Sequence, residues 1–228
     1  TRLQPVSVLF SKFPRLVRDL ARKLGKEIEL NLVGQDVELD KSIIEQLSDP
    51  LTHLIRNSVD HGIETPQERM QKGKRVPGRI TLHAFHEGGR VHMQIRDDGR
   101  GLNRAKILSK AVERGLASPS DQLTDPQVFS LIMEPGFSTA EKITDISGRG
   151  VGMDVVRRNV EQLRGKIEIQ SEEGKGTTFL IRLPVSGFVP PAVQKQEPAA
   201  RTLTATVLVV DDEKDVRDML VDILKDGG

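Results

Sequence analysis

Apolar residues recur at helical spacing near the start of the chain, at Leu9, Phe13, Leu16, Val17, Leu20 and Leu24, in a segment otherwise basic or polar. That spacing predicts an amphipathic helix, with Pro14 in its first turn, where a missing N–H leaves no bond unmade. A short strand is expected over residues 27–33. Asp40 then stands in a capping position before a second helix, whose Ile44, Leu47, Leu51, Leu54 and Ser58 line one side and which ends near Gly62. Further on the pattern changes to strict alternation. Residues 80–85 and 91–95 flank "HEGG", and "KIEIQS" and "TTFLIRL" flank "EEGKG", so each set reads as a β-hairpin. In the second hairpin Ile167, Ile169, Phe179, Ile181 and Leu183 point one way. Helical and Gly/Pro-punctuated stretches separate the two hairpins. The expected class is α/β, a two-layer sandwich with an antiparallel or mixed sheet on one side and helices on the other.

After residue 184 the pattern stops. Residues 185–205, rich in Pro, Ala, Gln and Thr, read as a flexible linker. Residues 206–228, "TVLVVDDEKDVRDMLVDILKDGG", are an apolar strand with Asp211 and Asp212 at its carboxyl end and one helix. This is the first βα unit of a doubly wound domain, where acids at a strand's carboxyl edge hold a cation. One such unit cannot bury a core, so it is expected to be the truncated start of a larger domain.

Composition removes several classes. A net charge of +1 over 228 residues gives no bulk attraction to a polyanion, so nucleic acid is not an expected partner. With no cysteine there is neither a disulfide framework nor a thiolate metal site, which fits a reducing compartment. No apolar run approaches the roughly 18 residues of a membrane span, and the first residues do not resemble a signal peptide. A soluble, cytoplasmic protein is expected.

The candidate chemistry is concentrated in the middle of the chain. "HLIRNSVDH" sets His53, Asn57 and His61 four residues apart on the second helix, with Asp60 beside them. That stripe is either a solvated face or a set of oxygen and imidazole ligands. Three glycine clusters follow: "DDGRG" at 97–101 closing a strand, "GRGVGMDVV" at 148–156 opening a helix, and "GKGTT" at 174–178 in a hairpin. Taken singly they are a turn, a hinge and a hairpin loop. Neither the dinucleotide fingerprint nor the P-loop fits their spacing. Glycines before a helix do offer close backbone approach and free N–H groups to an anionic phosphate.

The ordered set decides. H-x-x-x-N at 53–57, D-x-G-x-G at 97–101, "PGFST" at 135–139, G-x-G-x-G at 148–152 and G-K-G-T at 174–177 resemble the N, G1, F, G2 and G3 boxes of histidine-kinase ATPase domains. Within that group "FPRLVRDLARKLGKEIEL", "DPLTHLIRNSVDHGIE" and "FSTAEKITDISGRGVGMDVV" are similar to the catalytic domain of the CheA family of chemotaxis kinases, over residues 1–184. The resemblance implies the Bergerat ATP-binding fold, with ATP and Mg2+ bound. It implies that Asp97 accepts a hydrogen bond from the adenine amino group, that Gly99 and Gly101 let the base lie against the backbone, and that Asp98 is a turn residue. By the same resemblance Asn57 holds the magnesium that bridges the phosphates. Asp60 and His61 join the nucleotide contacts, and His53 stands where water-hydrolysing relatives carry a glutamate base. Gly148, Gly150 and Gly152 are the lid and helix-start phosphate contacts, Lys106 and Ser138 are further contacts, and Thr177 supports the hairpin under the nucleotide.

The implied reaction is transfer of the γ-phosphoryl of ATP to a histidine on a separate phosphotransfer domain, then to a response regulator. The five histidines of this chain lie on the helix face or the first hairpin, and none reads as that acceptor. The family carries the acceptor upstream, followed by a dimerisation helix pair that is expected to end about where Thr1 begins, so a homodimer is implied for the longer protein. Residues 206–228 resemble the start of a receiver domain, in which Asp211 and Asp212 hold magnesium beside an aspartate that lies further along the fold. The regulatory domain that follows the sandwich in CheA proteins does not intervene before this segment, which leaves binding to a coupling protein and receptors open. Two other readings stay open: a conformational ATPase of the gyrase or mismatch-repair type, against which His53 and the missing transducer domain speak, and a non-catalytic nucleotide-sensing scaffold.

Overall fold

The computed structural model describes residues 2–137 and 152–184. The linker and the receiver-like segment of the sequence reading, with Asp211 and Asp212, lie outside the described residues, as do Ser138, Gly148 and Gly150.

The described chain runs β1 Leu3–Pro5, α1 Ser7–Phe10, α2 Phe13–Lys23, β2 Ile28–Val33, β3 Glu38–Asp40 and α3 Lys41–Asn57, with a π-helical turn over Ser58–Gly62. It continues with α4 Pro66–Gln71, β4 Gly78–Glu87, β5 Arg90–Asp97, α5 Arg104–Glu113, α6 Asp125–Ser130, a 3-10 turn Leu131–Met133, α7 Met153–Gln162, β6 Lys166–Glu172 and β7 Gly176–Pro184. The expected first helix is two helices. Pro14 has no N–H to give the carbonyl of Phe10, so α1 cannot run on into α2. Leu9, Phe13 and Val17 still bury, whereas Leu24 falls beyond the end of α2 and is exposed. The second helix starts as expected, its first turn held by the Asp40 carboxylate, which accepts from the Ser42 N–H at 2.8 Å.

Five strands form one mixed sheet in the order β2-β4-β5-β7-β6, beside a separate antiparallel pair of β1 and β3. Only β2 lies parallel to its neighbour, β4; both expected hairpins and the β5–β7 pairing between them are antiparallel. Alternation sorts the faces. Ile80, Leu82, Val91, Met93, Ile95, Ile181 and Leu183 are buried against the helical layer, where they meet Leu47, Leu51, Leu54, Ile55, Val156 and Val160 in one core. Their sequence neighbours Thr81, His83, Leu180 and Arg182 are only half-buried, as positions on the other face must be. No described helix is long and apolar enough to cross a membrane.

This layer order has a direct test. Ile181→Ala removes a fully buried side chain from a central strand and should cost about 2–5 kcal/mol in urea unfolding. Its neighbour Leu180→Ala should cost less than about 1 kcal/mol. Equal costs would mean that the register of β7 is wrong.

Candidate nucleotide site

The site is built where the carboxyl end of β5, the start of β7 and the end of α3 converge. Asp97, the last residue of β5, is 2% exposed, and its carboxylate sits among donors from three segments. Oδ1 accepts from the Gly99 N–H at 3.0 Å and from the Thr177 N–H at 3.3 Å, and Oδ2 accepts from the Ser58 hydroxyl at 3.0 Å. Burial pushes this carboxyl above the usual aspartate range, and the three hydrogen bonds offset only part of that rise. A carboxylate kept at such cost points to a ligand that uses it.

Glycines allow this crowding. A side chain on Gly62 would lie 3.1 Å from the Asp97 carboxylate, and one on Gly99 would collide with the Gly62 carbonyl. Gly101 adopts φ +70°, and a side chain there would strike the carbonyl of Glu172. The loop after Asp97 is therefore pressed between the π turn and the β6–β7 hairpin. Arg100 N–H donates to the Gly62 carbonyl at 2.9 Å, Gly174 N–H to the Arg100 carbonyl at 2.7 Å, and Leu102 N–H to the Ser171 hydroxyl at 2.8 Å.

Asp98 does more than turn the chain. Its carboxylate accepts from the Arg69 guanidinium at 2.9 Å and from the Arg79 N–H at 2.9 Å, so it braces the loop from the side away from Asp97. Arg69 and Glu64 are themselves buried, and Lys74 joins them. Burial alone would raise the Glu64 carboxyl. The hydrogen bond from Lys74 and the charges of Lys74 and Arg69 outweigh it and leave Glu64 below the ordinary glutamate range.

The helix face is arranged differently from a straight extrapolation. The π turn widens the coil after Asn57, so His61 is exposed while His53, Asn57 and Asp60 are half-buried. Lys26 fastens the turn, its ammonium donating to the carbonyls of Val59 at 2.6 Å and Asp60 at 2.8 Å. Burial first, then Arg100, hold that ammonium below the usual lysine range. Burial first, then the Arg56 guanidinium, also hold His53 below the usual histidine range, with Asp154 opposing them, so the ring is neutral at neutral pH.

The second side of the site comes from α7. Gly152 caps it, and the Asn57 amide donates to the Met153 sulfur at 3.1 Å, which joins the end of α3 to the start of α7. The Asn57 amide oxygen stays available as a hard ligand, with the Asp60 carboxylate on the turn beyond it. Among the described residues no cluster of three or more His, Asp or Glu could hold a metal alone. That donor set fits magnesium, which takes one or two protein oxygens and fills the rest of its shell from phosphates and water. Thr177 is buried, its hydroxyl 3.0 Å from that of Ser171. Lys106 is exposed on the first turn of α5, whose cap is the Asn103 side chain.

Ser58, Gly62, Glu64, Arg69, Lys74 and Lys26 were not singled out by function in the sequence. Ser58 carried a signal nonetheless, a hydroxyl at the end of an otherwise apolar stripe. The others come together only through the fold.

Residues 46–187 match the model of the family described as histidine kinase-, DNA gyrase B-, and HSP90-like ATPase, which is more than half of the chain. The chain belongs to that family. It is 57% identical over 185 residues, 81% of its length, to the chemotaxis protein CheA of Salmonella typhimurium, and 50% identical over 187 residues, again 81%, to that of Bacillus subtilis. It is 51% identical over 188 residues, 82% of the chain, to the sensor histidine kinase CheAY of Helicobacter pylori. The chain spans only 27%, 28% and 23% of the lengths of these relatives. The catalytic domain of histidine kinase ThkA shares the fold, with a TM-score of 0.51 at 16% identity over 81% of this chain and 95% of that one. The sandwich with its mixed sheet is thus the Bergerat-type fold of this ATPase family.

The opposed shifts of two buried acids give opposite pH signatures. Asp97 is raised, so its ionisation costs stability at neutral pH, and that cost disappears as pH falls through its folded value toward the ordinary aspartate value near 4. Asp97→Asn, which keeps a carbonyl acceptor, should melt at or above the wild-type temperature at pH 7, with the gap closing toward pH 4. Glu64 is lowered, so the stability it gives is complete above the ordinary glutamate value and is lost as pH falls through its lower folded value. Glu64→Gln should destabilise at pH 7 by about 3–5 kcal/mol, because it breaks a buried ion pair, and by less in acid. Thermal melts across pH check both, and the reverse order would contradict the assignment.

Proposed function

We propose that residues 1–184 are the ATP-binding catalytic domain of a chemotaxis-type two-component histidine kinase, joined by a linker at 185–205 to the first part of a receiver domain at 206–228. The reaction is transfer of the γ-phosphoryl of Mg-ATP to a histidine on a separate phosphotransfer domain, for relay to an aspartate of a response regulator. The observation that carries the reading is the buried Asp97 carboxylate, held by Ser58, Gly99 and Thr177 within the family-matched segment, and this reading puts the slot for the base beside it. A soluble, cytoplasmic kinase that dimerises through segments outside this chain belongs to the same proposal.

In this reading Asp97 accepts from the amino group of the adenine, and the Gly99 and Gly101 backbone lies against the ring. Asn57 would supply an amide oxygen to hold the magnesium, which when bound would supply charge stabilisation for the phosphates. Asp60 and His61 flank the nucleotide from the π turn, and Lys106 from α5. Gly152, which caps α7, contacts the phosphates; Gly148 and Gly150, outside the described residues, share that role, and Ser138, also outside them, is a further nucleotide contact. Thr177 keeps its place under the nucleotide by donating to Asp97. The protein contributes positioning and charge rather than a nucleophile of its own. His53, held neutral by burial, takes the position at which water-hydrolysing relatives carry a glutamate base.

Asn57→Ala should remove phosphotransfer from labelled ATP to an isolated histidine phosphotransfer domain by a factor of about 100 or more, comparable to losing a key transition-state contact. Its unfolding temperature should stay near wild type, since the one bond lost is to a thioether. Undiminished transfer would sink the role of Asn57.

A further inference from the structure

The six-residue helix α4 starts at Thr65, whose hydroxyl and N–H are matched with Glu68 in a capping box, and it delivers Arg69 to the space behind the Asp97 loop. Arg69 is 1% exposed. Its guanidinium donates to the Arg75 carbonyl at 2.6 Å, the Glu64 carboxylate at 3.0 Å, the Asp98 carbonyl at 3.2 Å and the Asp98 carboxylate at 2.9 Å. Lys74 donates to the other oxygen of Glu64 at 2.8 Å and to the Gly99 carbonyl at 2.6 Å. Glu64, 0% exposed, is thus the shared anchor of two cations, and each cation also holds a carbonyl of the loop next to Asp97.

A cluster of this kind is a poor way to gain stability, because apolar residues of the same volume do as well once desolvation is counted. Apolar residues cannot hold two adjacent carbonyls in fixed positions. The Asp98 carbonyl belongs to the same planar peptide as the Gly99 N–H that donates to Asp97 Oδ1, and the Gly99 carbonyl belongs to the next one. Gripping residues 98 and 99 from behind therefore keeps that N–H turned to Asp97 and away from the slot. Asp97 then presents only acceptor character to a ligand, and no backbone donor competes with it.

We propose that Arg69 and Lys74, anchored on Glu64, are positioning residues that set the base selectivity of the nucleotide site, for a 6-amino purine and against a 6-oxo purine. The inference rests on the reading of Asp97 as the acceptor for the base. An acceptor held in place pairs with an amino group and repels a carbonyl oxygen. Once the grip is loosened, the Gly99 N–H is free to turn toward the slot and donate to that oxygen, and discrimination collapses.

The test is calorimetric titration of Mg-ATP and Mg-ITP, which differ in the 6-substituent of the base and in the hydrogen that the 6-oxo form carries on N1, into the 228-residue chain. Wild type should prefer ATP by on the order of 100-fold or more, as sites built to pair a polar group do. Arg69→Met and Lys74→Met should each reduce the ATP-to-ITP affinity ratio about tenfold, with ITP affinity held or improved, whereas a purely structural role would weaken both nucleotides alike. Arg69→Lys, which keeps one bond of the fork, should fall between. An unchanged ratio in folded variants overturns the proposal and leaves the reading of Asp97 standing. A wild-type ratio near one removes that reading and the proposal together. Should Arg69→Met fail to fold, Lys74→Met, at the partly open edge of the cluster, decides the matter.

Discussion

A buried carboxylate needs donors, and the donors of Asp97 come from three separate parts of the chain: the π turn after α3, the loop that follows β5, and the first residue pair of β7. The rest of the site depends on that convergence. The π turn must widen to bring Ser58 inward, the loop must be glycine to pass beneath it, and the β6–β7 hairpin must be in register with β5 for the Thr177 N–H to reach. In exchange, three segments far apart in sequence are fixed to one another at the point where a ligand would enter.

The two electrostatic centres of the site differ in kind. Asp97 is left with less support than its burial demands, so its carboxyl is raised. Glu64, a short distance behind, is over-supported by Lys74 and Arg69 and its carboxyl is lowered. The first arrangement suits a group that waits for a partner and the second a group that holds other atoms still. Lys26 combines the two, since it ties the carbonyls of the π turn while burial leaves its ammonium under-supported.

Much of the architecture was legible because alternation and helical spacing are local. Both hairpins, the inward set from Ile167 to Leu183, the Asp40 cap and the stripe from Ile44 to Ser58 follow from side-chain period alone. The short elements were not legible: β1 and β3 pair only with each other, and α4 and α6 are six-residue helices fixed by capping boxes and by what lies beneath them. Pro14 does stand in the first turn of its helix, as its missing N–H suggests, but apolar spacing alone carried that helix back to Leu9, which lies in the separate α1. In the site, Asp97, Asn57 and the glycines were marked by motif. The brace formed by Glu64, Arg69, Lys74 and Asp98 was invisible, since charged residues in a polar stretch read as surface until the fold encloses them.

The central claim is that the slot closed by Asp97 receives the base of a nucleotide. The most direct measurement is a titration of the 15N-labelled chain with Mg-ATP, followed through the backbone amide signals. Saturable shifts concentrated at Gly99 and Thr177, whose amides donate to the Asp97 carboxylate, and at Gly101 in the same loop are the predicted result. Saturable binding that leaves those three amides unmoved would contradict it and would put the nucleotide elsewhere on the sandwich.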